Sequence, residues 1–200
     1  MSTKDHWESV YASRTDTELS WTQPDPHRSL FLITEVCATG SVIDVGGGTS
    51  LLPGKLLDCG YAVTVLDISE AAVNRGREKL GPRAYTIRWI VADITASPDL
   101  GSFDVWHDRA VFHFLTSPAD RAAYVTQLRR SVSVGRHAVI ATFAPDGPEK
   151  CSGLDVQRYS GLTLSAELGV SFKLLKSVPE THLTPAGKPQ SFQYSVFRQV

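Results

Sequence analysis

Residues 42–50 read Val-Ile-Asp-Val-Gly-Gly-Gly-Thr-Ser, an apolar run that ends in three consecutive glycines. Such a run is typical of a buried strand that turns sharply into a loop facing a phosphate or a cofactor. The glycines allow backbone angles and a closeness of approach that any side chain would forbid. The stretch therefore predicts a cofactor site at the carboxyl end of a strand, with a plain tight turn as the alternative.

Two later apolar runs place carboxylates at the same predicted sheet edge. The run Tyr61–Leu66 ends in Asp67, about 20 positions after the glycines, where a carboxylate can hold a ribose diol. The run Tyr85–Val91 leads into Ala92-Asp93-Ile94. A dinucleotide fingerprint that starts at the first glycine would require glycine at position 51, where the chain has leucine. A nicotinamide oxidoreductase is therefore the weaker interpretation.

In their order and spacing, these motifs resemble those of class I S-adenosylmethionine-dependent methyltransferases over roughly residues 40–145. Asp44-Val-Gly-Gly-Gly48 is similar to the first family motif, and Phe103-Asp-Val-Trp106 is similar to the strand that enters the active site. Ser50 stands where the family usually has a third glycine. The resemblance implies S-adenosyl-L-methionine as cofactor and S-adenosyl-L-homocysteine as product. With Trp21 and His107 added from their positions, the predicted cofactor-binding residues are Trp21, Asp44, Gly46, Gly47, Gly48, Ser50, Asp67, Ile68, Asp93, Ile94 and His107.

The alternation of helix-like and strand-like segments predicts an α/β fold with a doubly wound, mostly parallel sheet. Strand-like runs at 170–178 and 191–199 fit the antiparallel sixth and seventh strands of the resembled family. We expect a seven-stranded sheet with helices on both faces, an antiparallel C-terminal hairpin and an N-terminal helical lid. Further predicted elements are helices at 26–37, 51–58, 69–80 and 118–132 and a strand at 137–143.

Composition restricts the class of protein. The chain has 200 residues, 42% of them hydrophobic, and a net charge of −1, which suit one domain with a sizeable core. No basic cluster indicates nucleic acid, and no apolar stretch indicates a signal peptide or a membrane span, so we expect a cytoplasmic protein. The spacing of Cys37, Cys59 and Cys151 disfavours disulfides and a metal site. Nothing in the sequence indicates an oligomeric state.

The amino-terminal segment 1–24 allows two interpretations, and we treat 25–200 as the methyltransferase domain. Trp7 and Tyr11 lie one helical turn apart and could be ordinary core. They could also form, with Trp21, a lid that excludes water from an electrophilic sulfonium. Trp21 is the better lid candidate because Pro24 and Pro26 interrupt its segment.

The segment Trp106-His-Asp-Arg-Ala-Val-Phe-His-Phe-Leu115 follows the predicted fourth strand and should face both cofactor and acceptor. We predict Asp108, Arg109 and His113 as catalytic residues, with His113 or His107 as base if the acceptor arrives protonated. The alternative is a local Asp108–Arg109 pair and packed histidines. Later residues that could reach the same opening are Cys151, Tyr159 and His182.

Asp108-Arg109 is also similar to the Asp-Lys-Gly-Thr-x-Asp motif of seven-strand protein lysine methyltransferases. Arg109 replaces the lysine of that motif, Ala110-Val111 replace Gly-Thr, and His113 replaces the second aspartate. We therefore rank a protein-lysine acceptor below a small-molecule nucleophile with an N, O or S acceptor atom. An interpretation of another class is a non-catalytic domain that binds S-adenosylmethionine as an accessory or sensor.

Overall fold

Helices and strands alternate along the chain in the computed structural model, which describes residues 3–200. Residues 1 and 2, part of the predicted lid segment, lie outside the described residues. The helices are α1 (Thr3–Ser13), α2 (His27–Val36), α3 (Leu52–Asp58), α4 (Glu70–Leu80), α5 (Pro118–Ser131) and α6 (Gly161–Leu168). The strands are β1 (Ser41–Val45), β2 (Ala62–Asp67), β3 (Arg88–Val91), β4 (Phe103–Arg109), β5 (Val132–Phe143), β6 (Lys150–Cys151), β7 (Leu154–Asp155), β8 (Phe172–Leu183) and β9 (Pro189–Gln199).

Seven strands form one sheet in the order β3-β2-β1-β4-β5-β9-β8. Strands β1 to β5 run parallel, whereas β9 is antiparallel to both β5 and β8. The small β6–β7 hairpin pairs separately. The predicted fold class is confirmed. The strand order reverses between β1 and β4, and in open α/β sheets ligands bind at such a reversal, beyond the carboxyl ends of the strands.

Alternate residues of the central strands supply two apolar layers, one on each face of the sheet. On one face, Ile43 and Trp106 pack with Leu128 of α5 and Leu164 of α6. On the other face, the neighbouring strand residues pack with α2 and α3, as Val42, Val105, Leu32, Leu52 and Leu56 illustrate. Helices therefore cover both faces, and only the strand ends are free to build a site.

Serine side chains cap the amino termini of α4 and α5. Ser69 Oγ accepts a hydrogen bond from Ala72 N at 3.1 Å, and Ser117 Oγ accepts one from Ala119 N at 3.2 Å. Each hydroxyl satisfies a backbone donor that the first helical turn leaves free. Helix α4 ends at Leu80, and Gly81 follows with a φ of +57°.

Three predicted boundaries were wrong. Strand β3 begins at Arg88 and not at Tyr85, because residues 81–86 form 3-10 turns that leave the Tyr85 side chain exposed. Strand β5 begins at Val132, directly after α5. Strand β8 continues to Leu183, so His182 lies within the strand and not in the connection.

The amino-terminal segment is attached to α4. Glu8 accepts hydrogen bonds from Glu70 N at 2.5 Å and from Ala71 N at 3.1 Å, at the positive end of the helix dipole. Arg75 of α4 donates to the carbonyl of Tyr11 at 2.9 Å and pairs with Asp16. The division into a lid at 1–24 and a domain at 25–200 stays a prediction.

Candidate active site

The glycine loop follows β1 directly, and none of its three glycines tolerates a side chain. Gly46 has a φ of +70°, and a Cβ there would lie 2.2 Å from Cγ2 of Val111. A Cβ on Gly47 would lie 2.5 Å from Oδ2 of Asp44. The Gly46 amide donates to Leu66 O at 2.7 Å, which ties the loop to the end of β2. The packed neighbours therefore require glycine at positions 46 and 47, and both residues line a cavity at the end of β1.

Asp44 and His107 are register partners on β1 and β4. Nδ1 of His107 lies 2.7 Å from Oδ1 of Asp44, and its N–H donates to the carboxylate. Nε2 lies 2.9 Å from the Ser29 hydroxyl and accepts from it in the neutral ring that has its proton on Nδ1. The second Asp44 oxygen, Oδ2, is buried and has no partner among the described residues. A buried carboxylate oxygen without a donor is costly, so this atom is suited to receive a cationic group.

Asp67 is buried at the end of β2. Its Oδ2 accepts from Gly48 N at 3.1 Å and its Oδ1 accepts from Ser69 N at 3.0 Å. Burial raises the pKa of Asp67 to about 6, although these two backbone bonds act in the opposite direction. A carboxylate oxygen accepts more than one hydrogen bond, so each can also receive a hydroxyl.

Asp93 lies one strand further along the same edge. Its Oδ1 accepts from the amide of Thr95 at 2.8 Å and from the hydroxyl of Thr95 at 2.7 Å, which starts a short 3-10 turn at Ile94. Both Asp93 and Ile94 line the cavity that Asp67 also faces. The predicted carboxylates of β2 and β3 are therefore brought to one cavity.

Two cavities open beside the glycine loop and share Tyr11, Trp21, Gly46 and Arg109 as lining residues. The first cavity extends over the ends of β2 and β3 and is mostly apolar. The second cavity is more polar, and the predicted residues that line it besides the shared ones are Asp44, Gly47, Ser50 and His107. One elongated ligand could occupy both.

Aromatic side chains of the amino-terminal segment cover the first cavity. The Trp7 ring centroid lies 5.0 Å from that of Phe114 and 5.6 Å from that of Trp21 in edge-to-face geometry. Tyr11 lies 6.0 Å from Trp21 by the same measure. These rings pack on one another and also line the cavity, so the core and lid interpretations both stay open.

Arg109 ends β4 and lines both cavities. Its Nε donates to the Tyr194 hydroxyl at 3.1 Å and its Nη1 donates to Trp21 O at 3.0 Å. The guanidinium carbon lies 4.4 Å from the Phe192 ring centroid. Nη2 is buried and has no partner among the described residues. The guanidinium is therefore committed to β9 and Trp21, and its described bonds and ion pairs do not include Asp108.

Asp108 supports the turn after β4. Its carboxylate accepts from Val111 N at 2.8 Å, from Phe112 N at 3.1 Å and from the Tyr124 hydroxyl at 2.6 Å. It is fully buried, burial raises its pKa to about 6, and it lines neither cavity. These contacts describe a residue that positions its neighbours, and its predicted catalytic role stays a prediction.

His113 is fully buried between the rings of Phe114 and Phe143. The Phe143 amide donates to its Nδ1 at 3.2 Å, which occupies the basic lone pair of the neutral ring. Burial and then the charge of Arg109 lower the pKa of His113 to about 3. His113 lines neither cavity, so the geometry offers no path by which it takes a proton from an acceptor.

A family model described as "Methyltransferase domain" matches residues 42–135, which include the glycine loop, Asp67, Asp93 and the segment after β4. The matched segment is therefore a methyltransferase domain, and the sheet has the fold of the class I methyltransferases. S-Adenosyl-L-methionine is therefore the cofactor of the domain. Methyltransferases of this class have a seven-stranded sheet with an antiparallel hairpin, which is the sheet described above.

Relatives of the methyltransferase include several curated proteins and many solved structures. The zebrafish (Danio rerio) eEF1A lysine and N-terminal methyltransferase is 27% identical over 150 residues, or 72% of this chain. The chain spans only 22% of that protein. A structure reported for the conversion of a disulfide bond into a thioacetal group during echinomycin biosynthesis has a TM-score of 0.79 at 20% identity and covers 98% of this chain and 93% of its own.

A third relative is the Burkholderia thailandensis 1,6-didemethyltoxoflavin-N1-methyltransferase, solved with bound 1,6-didemethyltoxoflavin and S-adenosylhomocysteine. It has a TM-score of 0.70 at 15% identity, and the alignment covers 99% of this chain and 84% of that one. At these identities, the two structural likenesses establish the fold of the methyltransferase and not its substrate.

The methyltransferase brings most predicted site residues together. Gly48, Asp108 and His113 line neither cavity, although Gly48 N bonds to Asp67, and a Cβ on Gly76 would lie 2.0 Å from Gly48 O. All the other predicted site residues line at least one cavity, namely Trp21, Asp44, Gly46, Gly47, Ser50, Asp67, Ile68, Asp93, Ile94, His107 and Arg109.

Of the three later candidates, only Cys151 lines a cavity. The Tyr159 ring packs against Phe112 inside the core, and His182 lies 2.7 Å from the carbonyl of Ser20 through its Nε2. Within residues 3–200, no group of histidine, cysteine and acidic side chains is arranged to hold a metal ion. No helix in the same range is long and apolar enough to traverse a bilayer.

Sequence reasoning missed Ser29 and Tyr194, which extend the contacts of His107 and Arg109. A serine inside α2 and a tyrosine inside β9 carry no local signal, because only the tertiary fold brings them to the site. It also missed Glu8, whose contacts with α4 are set by packing across the amino-terminal segment. Phe114 and Leu115 lie in the segment that the sequence already singled out.

Proposed function

We propose that the chain transfers the methyl group of S-adenosyl-L-methionine to a small-molecule nucleophile. The observation that carries the proposal is the unpartnered Oδ2 of Asp44 beside two glycines, at one end of a double cavity that Asp67 lines at the other. A cofactor with an ammonium group at one end and a ribose diol at the other matches this separation of carboxylates.

The residues present fit the cofactor. Asp44 Oδ2 would accept from the ammonium group, and Gly46 and Gly47, which line the same cavity, would lie beside the methionyl end. Asp67 would accept from the ribose hydroxyls, and Asp93 with Ile94 would lie beside the base. S-Adenosylmethionine supplies, when bound, an electrophilic methyl group on a sulfonium.

The chain itself would contribute mainly position and exclusion of water. The rings of Trp7, Tyr11, Trp21 and Phe114 form a wall that keeps solvent from the reacting atoms and offers aromatic faces to a cation. Holding two reactants in line is itself a large part of the barrier reduction in such displacements. We propose that residues 3–24 close over the cofactor in this role.

A protein lysine acceptor is the second candidate, and the 27% identity to the zebrafish lysine methyltransferase favours it. The departures after Asp108 weigh against it, because His113 is buried where the resembled motif has a carboxylate to receive an ammonium. The small-molecule acceptor is also supported by the toxoflavin methyltransferase, which shares the fold along nearly the whole chain.

The test has a binding step and a turnover step. Calorimetry with S-adenosylhomocysteine should detect binding to the purified chain, and Asp44→Asn should weaken it because the amide no longer receives an ammonium as an anion does. Radiolabelled methyl transfer is then measured with panels of thiols, amines and phenols and with a cell-extract protein fraction. Binding without transfer to any panel would favour the non-catalytic alternative, and labelled protein alone would favour the lysine acceptor.

We also propose a cytoplasmic location. All three cysteines are free thiols in the structure, as a reducing compartment maintains them. Cell fractionation with an antibody against the chain tests this location.

A further inference from the structure

Arg109 lies on the side of the site away from the ribose carboxylate. Its strand, β4, stands between β1 and β5 in the sheet, and its guanidinium contacts Tyr194 and Phe192 of β9. Asp67 ends β2, on the other side of β1. The carboxylates assigned to the cofactor, Asp44, Asp67 and Asp93, thus lie in β1, in β2 and just after β3, whereas the Arg109 guanidinium contacts β9. An acceptor that approached from the β5–β9 side would meet Arg109.

The charge of Arg109 is uncompensated. Its described partners are a hydroxyl, a carbonyl and an aromatic ring, all of them uncharged. None of the ion pairs among residues 3–200 includes it. Its Nη2 is buried without a partner. A guanidinium is always charged and forms its best bonds with anions, so an arginine with a free, shielded N–H group at a cavity wall is suited to an anionic ligand.

The described walls of the first cavity offer no group placed to take a proton from an acceptor. Asp67 and Asp93 lie at the ribose and base end. Burial raises the pKa of the Cys151 thiol to about 11, and burial raises the pKa of the Tyr11 hydroxyl as well, so both are protonated at neutral pH. An acceptor held by Arg109 in the first cavity would find no base on these walls, since His107 lines only the second cavity and its Nε2 is bonded to Ser29.

We propose that the methyl acceptor is a small molecule whose nucleophilic atom is already an anion at neutral pH, such as a thiolate or an acidic phenolate, and that Arg109 binds it. This inference rests on the proposed function. The acceptor loses its proton to solvent before binding. Its lone pair forms the new bond to the methyl carbon while the bond from that carbon to the cofactor sulfur breaks. The electron pair of the broken bond stays on that sulfur, and both products are uncharged at the reacting atoms.

The experiment separates acceptor binding from cofactor binding. Wild type, Arg109→Gln, Arg109→Lys and Arg136→Gln are compared at matched melting temperature. Arg136→Gln is the control because it removes the same charge near the opposite end of β4, where Arg136 forms an ion pair with Asp104. Calorimetry gives the Kd for S-adenosylhomocysteine. Tryptophan fluorescence gives the Kd with which benzoate binds to the complex of the protein and S-adenosylhomocysteine. Benzyl alcohol, which is uncharged, is measured in the same way for comparison. Initial rates with S-adenosylmethionine give KM for benzenethiol and for benzylamine.

We expect the wild-type complex to bind benzoate and not benzyl alcohol. Arg109→Gln should weaken benzoate binding and raise the KM for benzenethiol about 10- to 100-fold, the range expected for the loss of one or more charge-assisted hydrogen bonds. Arg109→Lys should recover part of this loss, and Arg136→Gln should match wild type. The Kd for S-adenosylhomocysteine should change less than about threefold, a difference well below that of one such bond.

Three results would overturn the inference. One is a large loss of S-adenosylhomocysteine affinity in Arg109→Gln with benzoate binding unchanged, which would show that Arg109 binds the carboxylate of the cofactor's own amino-acid end. The second is methylation of benzylamine in preference to benzenethiol. The third is benzoate binding that is absent or independent of Arg109. Absence of S-adenosylhomocysteine binding in wild type would instead refute the proposed function itself.

Discussion

Replacing Asp67 by asparagine should weaken cofactor binding and remove its dependence on pH near 6. The carboxylate accepts backbone bonds from Gly48 and Ser69 and keeps lone pairs for the ribose. Hydrogen bonds to charged groups contribute about 1.5–3 kcal/mol each, and neutral bonds about half as much. The amide of the Asp67→Asn variant retains one neutral acceptor, so one ribose bond is weakened and cofactor affinity should fall about tenfold. Asp67→Ala removes the acceptor altogether and should lower the affinity further.

The sign of the pH effect follows from the raised pKa. Burial raises the pKa of Asp67 to about 6 in the free protein, so the carboxyl group is protonated below that pH. Ribose hydroxyls donate to the ionised form, so binding prefers the carboxylate. Affinity should be constant above about pH 7 and should fall as the pH drops below 6, by up to about tenfold per pH unit. In the free protein the same shift acts on folding with the opposite sign: the free energy of unfolding decreases as pH rises from about 4 to 6.

Calorimetric titration with S-adenosylhomocysteine between about pH 5 and pH 8, a range that spans the ionisation of Asp67, measures both effects. Asp58→Asn is the matched control, because Asp58 is an exposed partner of Arg83 and its replacement removes the same charge away from the site. An Asp67→Asn variant that binds as tightly as wild type, or that keeps the full pH dependence, would refute the assignment of Asp67 to the ribose. Any pH dependence of binding that remains in the variant is expected to come from the buried Asp108, because burial raises its pKa to about 6 as well.

Further predictions concern stability and motion. Asp108→Asn should lower the melting temperature, because the amide cannot accept all the hydrogen bonds from the backbone of 111 and 112 and from Tyr124. The Kd for S-adenosylhomocysteine should stay near that of wild type. An unchanged melting temperature with a kcat loss above about 100-fold would favour direct catalysis by Asp108 instead. Ala110→Gly should raise the free energy of unfolding by about 1 kcal/mol in denaturant titration, because Ala110 holds a φ of +74°; destabilisation would show that the strain is not relieved by glycine. Hydrogen exchange over 3–24 should slow when S-adenosylhomocysteine binds, and equal protection in both states would contradict the lid proposal.

The sequence was informative at positions where the backbone conformation and the predicted ligand contact favour the same residue type. Gly46 is a case in which the positive φ, the contact with Val111 and the cofactor all demand the same residue, so the motif could be recognised without coordinates. Asp67 and Asp93 were predictable because parallel strands end at one edge. Strand bounds such as the start of β5 were less predictable, because α5 passes directly into β5 at Val132 and Gly135 lies inside the strand.

The segment after β4 was identified correctly as unusual, but its side chains could not be assigned from sequence. Asp108, Arg109 and His113 look alike in a linear motif, as polar residues among apolar ones. Their neighbours separate them: Asp108 receives two amides of its own turn, His113 receives the amide of Phe143, and Arg109 is directed toward β9. Only Arg109 then reaches the cavities. The distinction depends on side-chain direction at a strand end, which alternates with register and which a single sequence does not reveal.

A directional set of hydrogen bonds connects Arg109 with Asp44. Arg109 Nε donates to Tyr194, the Tyr194 hydroxyl lies 3.4 Å from Ser29 Oγ, Ser29 donates to His107 Nε2, and His107 donates to Asp44. With the histidine proton on Nδ1, every hydroxyl in the set donates toward the carboxylate. Each donor therefore strengthens the next, and the negative charge of Asp44 is stabilised at Oδ1 while Oδ2 stays free. Asp44 and Arg109, two of the charged residues that line the cavities, are thus oriented by the same buried groups from α2, β4 and β9. Because these groups also fix where Arg109 points, the cofactor and acceptor halves of the site have a common support, which the strand order at β1 and β4 makes possible.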